Sequence, residues 1–409
     1  MNDYLTAAEV MAHLGIKQQT LYTYVSRQLI RRVTPLTSKR SLYSREDVEK
    51  LAARRSRKAS SSSMRPDQAE SSLTAIGSSL THIATDGPAY RGRNFRTLVE
   101  HPGRIENVAE LLWTGVLLDD PLTWDNDDIP SNMEAAIAAL QRPAGHVPIL
   151  RVMATASIIL GEPAGKELRS GSTASLARRL VCTYAGCLGM LSAQPRFVRP
   201  LPGESVAHIA LRALDIEPTA AHLAALNAVL ITCADHELSS ATYAARVVAS
   251  AGAGLHACLL ASIAAHSGHQ LGGSCDRTED LFLIPPSRRT LDVSLASQVR
   301  TGGKLPGFNH PLYPNGDPRA SYLLALATQL AGEPAMADIH ATVADARDRA
   351  DQTPALELGL VAMARALDLP RRAASALWAL GRSVGWVAHV IEQRLAGQII
   401  RPRARYVRR

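Results

Sequence analysis

The chain has 409 residues, enough for two or three domains and a large buried core. It is 46% hydrophobic but only 4% aromatic, and it is rich in Ala and Leu, the best helix formers, so we expect a mainly α protein. The five cysteines include no C-x-x-C pair, which predicts reduced thiols in a cytoplasmic protein rather than a disulfide framework. No apolar run reaches the ~18 residues of a membrane helix and no signal peptide is evident, so we expect no membrane partner.

The basic charge is concentrated at the start of the chain. Residues 1–58 contain 12 Lys/Arg and 5 Asp/Glu, a balance of +7, whereas the whole chain has a net charge of +8. The remaining residues therefore carry only +1. A basic module followed by a nearly neutral body suggests a nucleic-acid partner for that module alone.

The first predicted elements are two short helices joined by a turn. Thr6 and Glu9 form a capping box at the start of the first helix, and Gly15 ends it. The second helix begins near residue 17, and Leu21 and Val25 lie on its buried face because they are four residues apart. Two helices joined by a glycine-containing turn are typical of a helix-turn-helix.

A β-hairpin over residues 30–43 and a third helix over 45–57 complete the N-terminal domain, residues 1–58. The run LGIKQQTLYTYVSRQLI, followed by SLYSREDVEKL, resembles the MerR-like or excisionase-like winged helix-turn-helix. The resemblance implies that the second helix enters the major groove of DNA, while the hairpin contacts backbone phosphates. The residues implied to face base edges are Gln18, Gln19 and Tyr22, and those implied to contact phosphates are Arg27, Arg31, Arg32 and Arg40. The alternative is a helical docking module that does not touch DNA.

A serine-rich linker over residues 59–72 precedes a long helical body, residues 73–409. Apolar residues spaced at i, i+3 and i+4 predict successive helices, and no convincing strand pattern separates them. The stretch 235–273 is predicted to be an interior helix pair, because its Ala, Ser and Gly side chains let helix backbones approach closely. The other predicted helices are 108–117, 133–140, 149–160, 168–191, 206–214, 220–233, 320–331, 335–349, 356–367 and two within 371–395.

Seven segments give this body a family resemblance. They are, in chain order, AYRGRNFRTLVEH, AELLWTG, DHELSSATYAARVVAS, GFNHPLYPNGDPRA, LVAMARALDLP, ALGRSVGWVAHVIEQ and IRPRARYV. In this order they resemble citrate synthase, and the N-terminal helix-turn-helix is similar to that of a known subgroup of the family. The resemblance implies an all-α fold that forms a homodimer, with a large helical domain and a small domain over about residues 273–368.

The resemblance also implies an activity and a set of site residues. Citrate synthases condense acetyl-CoA, or another acyl-CoA, with oxaloacetate; the acyl-CoA is a substrate, and neither a bound cofactor nor a metal is implied. The residues that match the family's oxaloacetate ligands are His236, His310, Arg319, Arg382 and Arg401. Of these, His310 is implied to hydrogen-bond the ketone oxygen, and Arg401 to reach the site of the neighbouring subunit.

The half of the site that activates the acyl-CoA departs from the family pattern. Leu271 stands where the family has a catalytic histidine, and it has no hydrogen-bond donor. Glu357 stands in place of the catalytic aspartate, and Asn309 and Pro311 replace a usual Gly and a usual Arg. A displacement of ~1 Å at a reacting group can lower a rate on the order of 100-fold. We therefore expect impaired turnover, unless a rearranged turn lets His269 act as the missing donor.

Three hypotheses stay open at this point. In the first, the protein is a citrate synthase family enzyme in which Glu357 is the base and His310 the electrophile. In the second, it is a DNA-binding transcriptional regulator whose degenerate synthase body senses oxaloacetate or citrate. In the third, it is a non-catalytic subunit that pairs with a complete synthase.

Overall fold

The computed structural model of the protein describes residues 76–124, 129–141, 148–161, 173–283, 305–402 and 406, and parts of the segment 4–49. The chain divides into two compact units. One unit comprises Met1–Gly77 and Pro402–Arg409, and the other comprises Ser78–Arg401. The predicted boundary of a small domain at about residues 273–368 stays a prediction.

The N-terminal unit begins as its sequence predicts. The capping box is formed: the Glu9 carboxylate accepts hydrogen bonds from the Thr6 N–H at 2.7 Å and from the Thr6 hydroxyl at 2.8 Å. Three short antiparallel strands pair in the order β1-β3-β2, and β1 was not predicted. Leu21 is fully buried in the small core of this unit and Val25 packs against that core. The described elements are β1 (Tyr4–Thr6), α1 (Ala7–Leu14), β2 (Arg32–Val33) and β3 (Leu42–Ser44).

The second unit opens with a small sheet that the sequence did not predict. Its strands β4 (Thr81–Ala84), β5 (Gly87–Tyr90) and β6 (Arg93–Asn94) are antiparallel neighbours in that order. Strands of two to four residues are too short to show the alternation of polar and apolar residues that identifies a strand in a sequence. Three strands nevertheless lie at residues 81–94, so the prediction that no strand pattern interrupts the helical body is wrong there.

Helices form the rest of the second unit, so the mainly α fold class is confirmed. The predicted interior pair of helices corresponds to α9 and α10, which pack against each other. A 3₁₀ turn, Leu188–Leu191, extends α6. The helices are α2 (Phe95–Glu100), α3 (Ile105–Thr114), α4 (Met133–Ala138), α5 (Ile149–Ile159), α6 (Thr173–Cys187), α7 (Val206–Ala213), α8 (Ala220–Cys233), α9 (Ser240–Ser250), α10 (Leu255–His266), α11 (Gly272–Leu281), α12 (Pro318–Ala331), α13 (Glu333–Ala350), α14 (Leu356–Ala366) and α15 (Ala373–Ala396).

The long helix α15 is the centre of this unit, and it corrects the prediction of two helices within 371–395. It is a single helix of 24 residues that contacts α3, α8, α9, α10 and α11. Gly381 and Gly385 interrupt its apolar pattern, which explains the predicted break. Both glycines instead let α15 approach the end of α8: a Cβ at Gly381 would lie 2.7 Å from the Leu230 carbonyl oxygen.

Gly385 provides a test of this close approach. A Cβ at this position would meet the Ala234 carbonyl oxygen and lie 2.5 Å from Asp235 Oδ1. We expect Gly385→Ala to lower the free energy of unfolding by about 1–3 kcal/mol, because overfilled interiors must shift backbone or side chains. Gly77→Ala is the control, since a Cβ at Gly77 has no neighbour within 4 Å. Urea unfolding measures both changes, and equal midpoints for the two variants would contradict the close approach.

The part of the chain that the structure describes contains no candidate membrane span, since none of its helices has both the length and the hydropathy that crossing requires. All five cysteines are buried and free of disulfide bonds.

Candidate active site

A cavity of about 930 Å³ lies in the second unit, where five segments meet. They are the segment after α8, the turn between α10 and α11, the loop before α12, the start of α14 and the middle of α15. This volume falls in the range of pockets that bind small molecules. Five of the predicted site residues line the cavity: His236, His310, Arg319, Glu357 and Arg382.

Backbone hydrogen bonds fix the loop of His310 beside the start of α14. The Asn309 N–H donates to the Thr353 carbonyl at 2.8 Å, and the Ala355 N–H donates to the Gly307 carbonyl at 2.8 Å. Asn309 itself has a φ of +55°, in the left-handed region that Gly and Asn adopt more readily than other residues. Its backbone conformation therefore explains why Asn is acceptable in place of the usual Gly.

His236 and His310 lie together at one end of the cavity. Their ring centroids are 5.0 Å apart, and the Tyr313 hydroxyl lies 3.2 Å from His236 Nε2. Burial, with added repulsion from Arg319 and Arg382, holds the pKa of His236 well below its usual value, so this imidazole is neutral at pH 7. It can therefore act as a hydrogen-bonding group but not as a cation.

The orientation of His310 assigns roles to its two nitrogens. Its Nδ1 accepts a hydrogen bond from the Leu312 N–H at 3.2 Å. In the neutral imidazole the proton must then be on Nε2, because one ring nitrogen accepts while the other donates. A backbone N–H thus selects the tautomer that can donate a hydrogen bond from Nε2.

Arg319 is fixed by the residue that caps its own helix. Asp317 caps α12, and its carboxylate accepts from Arg319 Nε at 3.0 Å and from Nη2 at 2.7 Å. Both residues are buried. Although burial opposes both charges, their attraction raises the pKa of Arg319 and lowers the pKa of Asp317. The pair is therefore ionised, and Arg319 is held rigidly at the cavity wall.

Arg382 is a buried cation, and no carboxylate among the described residues hydrogen-bonds to it. It is 4% exposed, and its Nε donates to the Cys233 carbonyl at 2.8 Å. No side chain or carbonyl among the described residues accepts a hydrogen bond from its two Nη atoms. Burial lowers the pKa of this guanidinium, although the nearby Asp235 opposes the shift. A buried charge without a bonded counter-charge is costly, so Arg382 is suited to an anionic ligand in the cavity.

Glu357 is the carboxylate at the base of the cavity. It is the second residue of α14, and the nearby Ser274 side chain favours its ionised form. Burial raises its pKa above the ordinary value of a glutamic acid, and its own backbone, Arg319 and Ser274 reduce that shift only in part. A carboxylate with a raised pKa is a stronger base once it is ionised, which suits proton abstraction.

A buried polar network anchors the segment that contains His236. Asp235 Oδ2 accepts from the Thr81 hydroxyl at 2.5 Å and lies 3.2 Å from His389 Nε2. His389 Nδ1 lies 3.0 Å from a guanidinium nitrogen of Arg246. Because Asp235, Arg246 and His389 are buried, the network fixes the backbone of residues 235–236 against α9 and α15.

Sequence comparison assigns the family of this site. Residues 69–403 match the profile described as "Citrate synthase, C-terminal domain". The chain belongs to the citrate synthase family. Residues 4–56 match a second profile, "Helix-turn-helix domain", so the subgroup predicted from the sequence is confirmed as well.

Named relatives of the citrate synthase family match most of the chain. A putative citrate synthase 2 of Mycobacterium tuberculosis is 28% identical over 371 residues, which cover 84% of this chain and 94% of that protein. The citrate synthase of Saccharolobus solfataricus is 29% identical over 341 residues, which cover 78% of this chain and 89% of that protein.

Solved structures have the same fold. The citrate synthase of Thermoplasma acidophilum, in a ternary complex with carboxymethyl coenzyme A and oxaloacetate, superposes with a TM-score of 0.69 at 22% identity. The alignment covers 85% of this chain and 97% of that one. The citrate synthase of Thermotoga maritima superposes with a TM-score of 0.66 at 22% identity, covering 82% of this chain and 94% of that one.

Three further residues of the predicted site differ in where they lie relative to the cavity. Arg401 is exposed and does not line the cavity of its own chain, so its role at a neighbouring subunit stays a prediction. Leu271 does line the cavity, from the turn that starts α11. His269 is exposed at the cavity rim, and its carbonyl accepts from Arg277 at 2.8 Å.

The predicted DNA-contacting residues lie mostly outside the described residues: Gln19, Tyr22, Arg27, Arg31 and Arg40. Gln18 is helical and exposed, and the backbone of Arg32 belongs to β2. Their contacts with DNA stay predictions.

Sequence reasoning missed four residues of the site: His266, Ser274, Tyr313 and Asp317. Asp317 could have been predicted, because Asp followed by Pro is typical of a helix N-terminus. Arg319, which follows that Pro, was already a predicted site residue. His266 had none, because a histidine within an apolar helix is usually a core residue. Tyr313 lies in a segment that was identified only as part of the family resemblance, and Ser274 directly follows the turn of Leu271, at which the predicted interior helix pair ends.

Proposed function

We propose that this protein condenses an acyl-CoA with oxaloacetate, with acetyl-CoA as the simplest acyl donor. Oxaloacetate would lie between Arg382 and Arg319, where two guanidinium groups face one cavity. The acyl-CoA would present its α-carbon to Glu357. The Thermoplasma citrate synthase complex, which contains oxaloacetate and carboxymethyl coenzyme A, supports this choice of ligands through the shared family and fold.

The residues of the cavity provide for each step of the reaction. The Glu357 carboxylate takes a proton from the α-carbon, and the C–H electron pair forms the C=C bond of an enolate while the carbonyl pair moves to oxygen. The enolate carbon then bonds to the ketone carbon of oxaloacetate, and the Nε2–H of His310 donates a hydrogen bond to the alkoxide that forms on the ketone oxygen. The alkoxide takes up one proton, which balances the proton that Glu357 removed. Water hydrolyses the resulting thioester, which releases citrate and the free thiol of coenzyme A. Because Glu357 is one methylene longer than the family's aspartate, we expect slower turnover than in a complete site.

The observation that carries this proposal is the state of Arg382. A buried guanidinium with two nitrogens that bond no described residue faces a cavity of small-molecule size, and a carboxylate with a raised pKa lines the same cavity. An anion is the partner that such a group requires. A dicarboxylate such as oxaloacetate would satisfy Arg382 with one carboxylate and contact Arg319 with the other.

The test is oxaloacetate-dependent release of free thiol from acetyl-CoA and propionyl-CoA, with oxaloacetate affinity measured by calorimetry. Release that requires oxaloacetate supports the enzyme. Oxaloacetate binding without thiol release at high protein concentration contradicts condensation of these two acyl-CoAs and favours a body that only senses the dicarboxylate. Absence of both contradicts the proposed ligand.

We propose in addition that the N-terminal domain binds DNA. The match of residues 4–56 to a helix-turn-helix profile and the +7 balance of residues 1–58 support this function. Association of the full chain with duplex DNA is expected to weaken steeply as salt rises, because phosphate contacts release counter-ions. Fluorescence anisotropy at several salt concentrations measures this slope, and neutral substitutions at Arg27, Arg31 and Arg32 that leave association unchanged would contradict the proposal.

We also propose a homodimer in which Arg401 serves the partner's cavity. The support is that Arg401 is exposed on its own chain although four other residues of the matched ligand set line the cavity. Mixing an Arg401→Gln subunit with an Arg382→Gln subunit would create one site that lacks neither arginine. Recovery of thiol release in the mixture, with light scattering to report the oligomeric state, would support the arrangement, and strictly monomeric protein would contradict it.

A further inference from the structure

A second imidazole lies inside the cavity, next to the position where the family's histidine is missing. His266 is the last residue of α10, is 2% exposed and is one of the residues that line the cavity. Its ring contacts two tryptophans edge-on, with centroid distances of 4.8 Å to Trp378 and 5.6 Å to Trp386. No described residue hydrogen-bonds its Nε2. Buried polar atoms usually have a partner, so this unused nitrogen points to a ligand.

The unpartnered edge of His266 faces the turn that Leu271 begins. A Cβ placed on Gly272 would lie 3.4 Å from both Cδ2 and Nε2 of His266. These are ordinary contact distances, so the Nε2 edge of the imidazole lies directly beside the turn at Gly272. His269 is less suited to the same task, since it is exposed at the cavity rim and has no buried, desolvated surroundings.

The protonation state of His266 suits a hydrogen-bond donor. Burial, and then the positive charge of Arg382, lower its pKa to about 3, so the imidazole is neutral throughout the physiological range. A neutral imidazole has one N–H, which can stabilise a developing oxyanion without first giving up a proton. The rings of Trp378 and Trp386 contact the imidazole edge-on, and a hydrogen bond beside such apolar surfaces is stronger than one in water.

We propose that His266, from Nε2, donates the hydrogen bond to the thioester oxygen of the acyl-CoA that Leu271 is unable to provide. The inference rests on the proposed condensation. While Glu357 removes the α-proton, the carbonyl electron pair moves onto the thioester oxygen, and the His266 N–H stabilises the resulting enolate oxygen without transferring its own proton. His266 is thus a catalytic residue that reaches the site from α10 instead of from the turn after it.

Two substitutions separate the hydrogen bond from the shape of the ring. His266→Phe keeps a flat ring against Trp378 and Trp386 but has no N–H, whereas His266→Gln keeps an N–H donor at a similar reach. His269→Phe is the matched control at the other imidazole of the turn. The measurements are kcat and KM for oxaloacetate from thiol release, and the affinity for carboxymethyl coenzyme A at saturating oxaloacetate. Carboxymethyl coenzyme A has a carboxylate in place of the acyl group, so its binding reports an oxyanion contact without any turnover.

We expect His266→Phe to lower kcat by about 100- to 1,000-fold, with KM for oxaloacetate unchanged within about threefold. Its affinity for carboxymethyl coenzyme A should fall in the same range. Both kcat and the affinity for carboxymethyl coenzyme A should be at least about tenfold higher in His266→Gln than in His266→Phe. In His269→Phe both quantities should equal those of the parent protein.

Equal kcat and equal analogue affinity in His266→Phe and the parent protein would overturn the assignment, and so would a loss confined to His269→Phe. If the parent protein neither releases thiol nor binds carboxymethyl coenzyme A, the proposed condensation itself fails and the role of His266 falls with it. If the parent protein binds the analogue but releases no thiol, the change in analogue affinity alone decides the role of His266.

Discussion

Replacing Glu357 by Gln should lower oxaloacetate-dependent thiol release by about 10²- to 10⁴-fold, the range typical of removing a general base. Gln has nearly the same shape as Glu and brings no buried charge, so the fold should persist. Oxaloacetate contacts Arg319 and Arg382 in our proposal, so its calorimetric affinity should change by less than about threefold. A parallel loss of binding and turnover would show that Glu357 positions oxaloacetate and does not act as the base.

Glu237 provides the matched control, because it is another carboxylate that lines the cavity, but an exposed one. Glu237→Gln should leave thiol release within about threefold of the parent protein. The pH profile distinguishes the two residues further. Burial raises the pKa of Glu357, so its basic form is lost as pH falls through that raised pKa, and kcat should rise with pH and then level off. This acidic limb should persist in Glu237→Gln, and its persistence in any residual activity of Glu357→Gln would contradict the assignment.

The sequence predicted the helical part of the fold well, for physical reasons that differ along the chain. The predicted helix 220–233 and the observed α8 coincide, because an uninterrupted apolar pattern is bounded by Thr219 as its N-cap. The break predicted within α15 failed, because glycine weakens a helix in isolation, whereas here Gly385 allows contact with the end of α8. The strands β4 to β6 were missed because their stability depends on pairing with one another, which a local pattern does not report.

The candidate site was predictable only in part. Residues in the matched segments, such as His310 and Arg382, indeed line one cavity, because each segment belongs to a fold that brings distant parts of the chain together. His266 was not predictable, since whether a helical histidine faces a core or a cavity depends on the rotation of α10 against α15. The tautomer of His310 likewise depends on one backbone N–H, that of Leu312.

Arg319 and Arg382 should respond to neutral substitution in opposite ways, although both are buried arginines of the same cavity. Arg319 is paired with Asp317 through two short hydrogen bonds, so Arg319→Gln leaves a buried carboxylate without its partner. Breaking such a pair typically lowers the free energy of unfolding by about 3–5 kcal/mol. Arg382 has no directly bonded acid among the described residues, and burial lowers its pKa, so the folded chain disfavours its charge. Arg382→Gln should therefore leave the melting temperature unchanged or raise it, a pattern typical of binding residues that are maintained at the expense of stability.

The same substitution should remove oxaloacetate binding. Truncating one partner of a buried, hydrogen-bonded charge pair costs about 2–5 kcal/mol, which corresponds to an affinity loss on the order of 30- to 5,000-fold. Arg277→Gln is the control, because the Nη1 of this cavity arginine already donates to the carbonyls of His269 and Gly273. Calorimetry with oxaloacetate and thermal unfolding, measured on the parent protein and on the Arg319→Gln, Arg382→Gln and Arg277→Gln variants, give both quantities. Unchanged oxaloacetate affinity in Arg382→Gln would contradict the dicarboxylate site. Lost affinity together with an undiminished melting temperature would mean that Arg382 serves ligand binding and not stability, because a buried charge that no described acid bonds does not stabilise the fold.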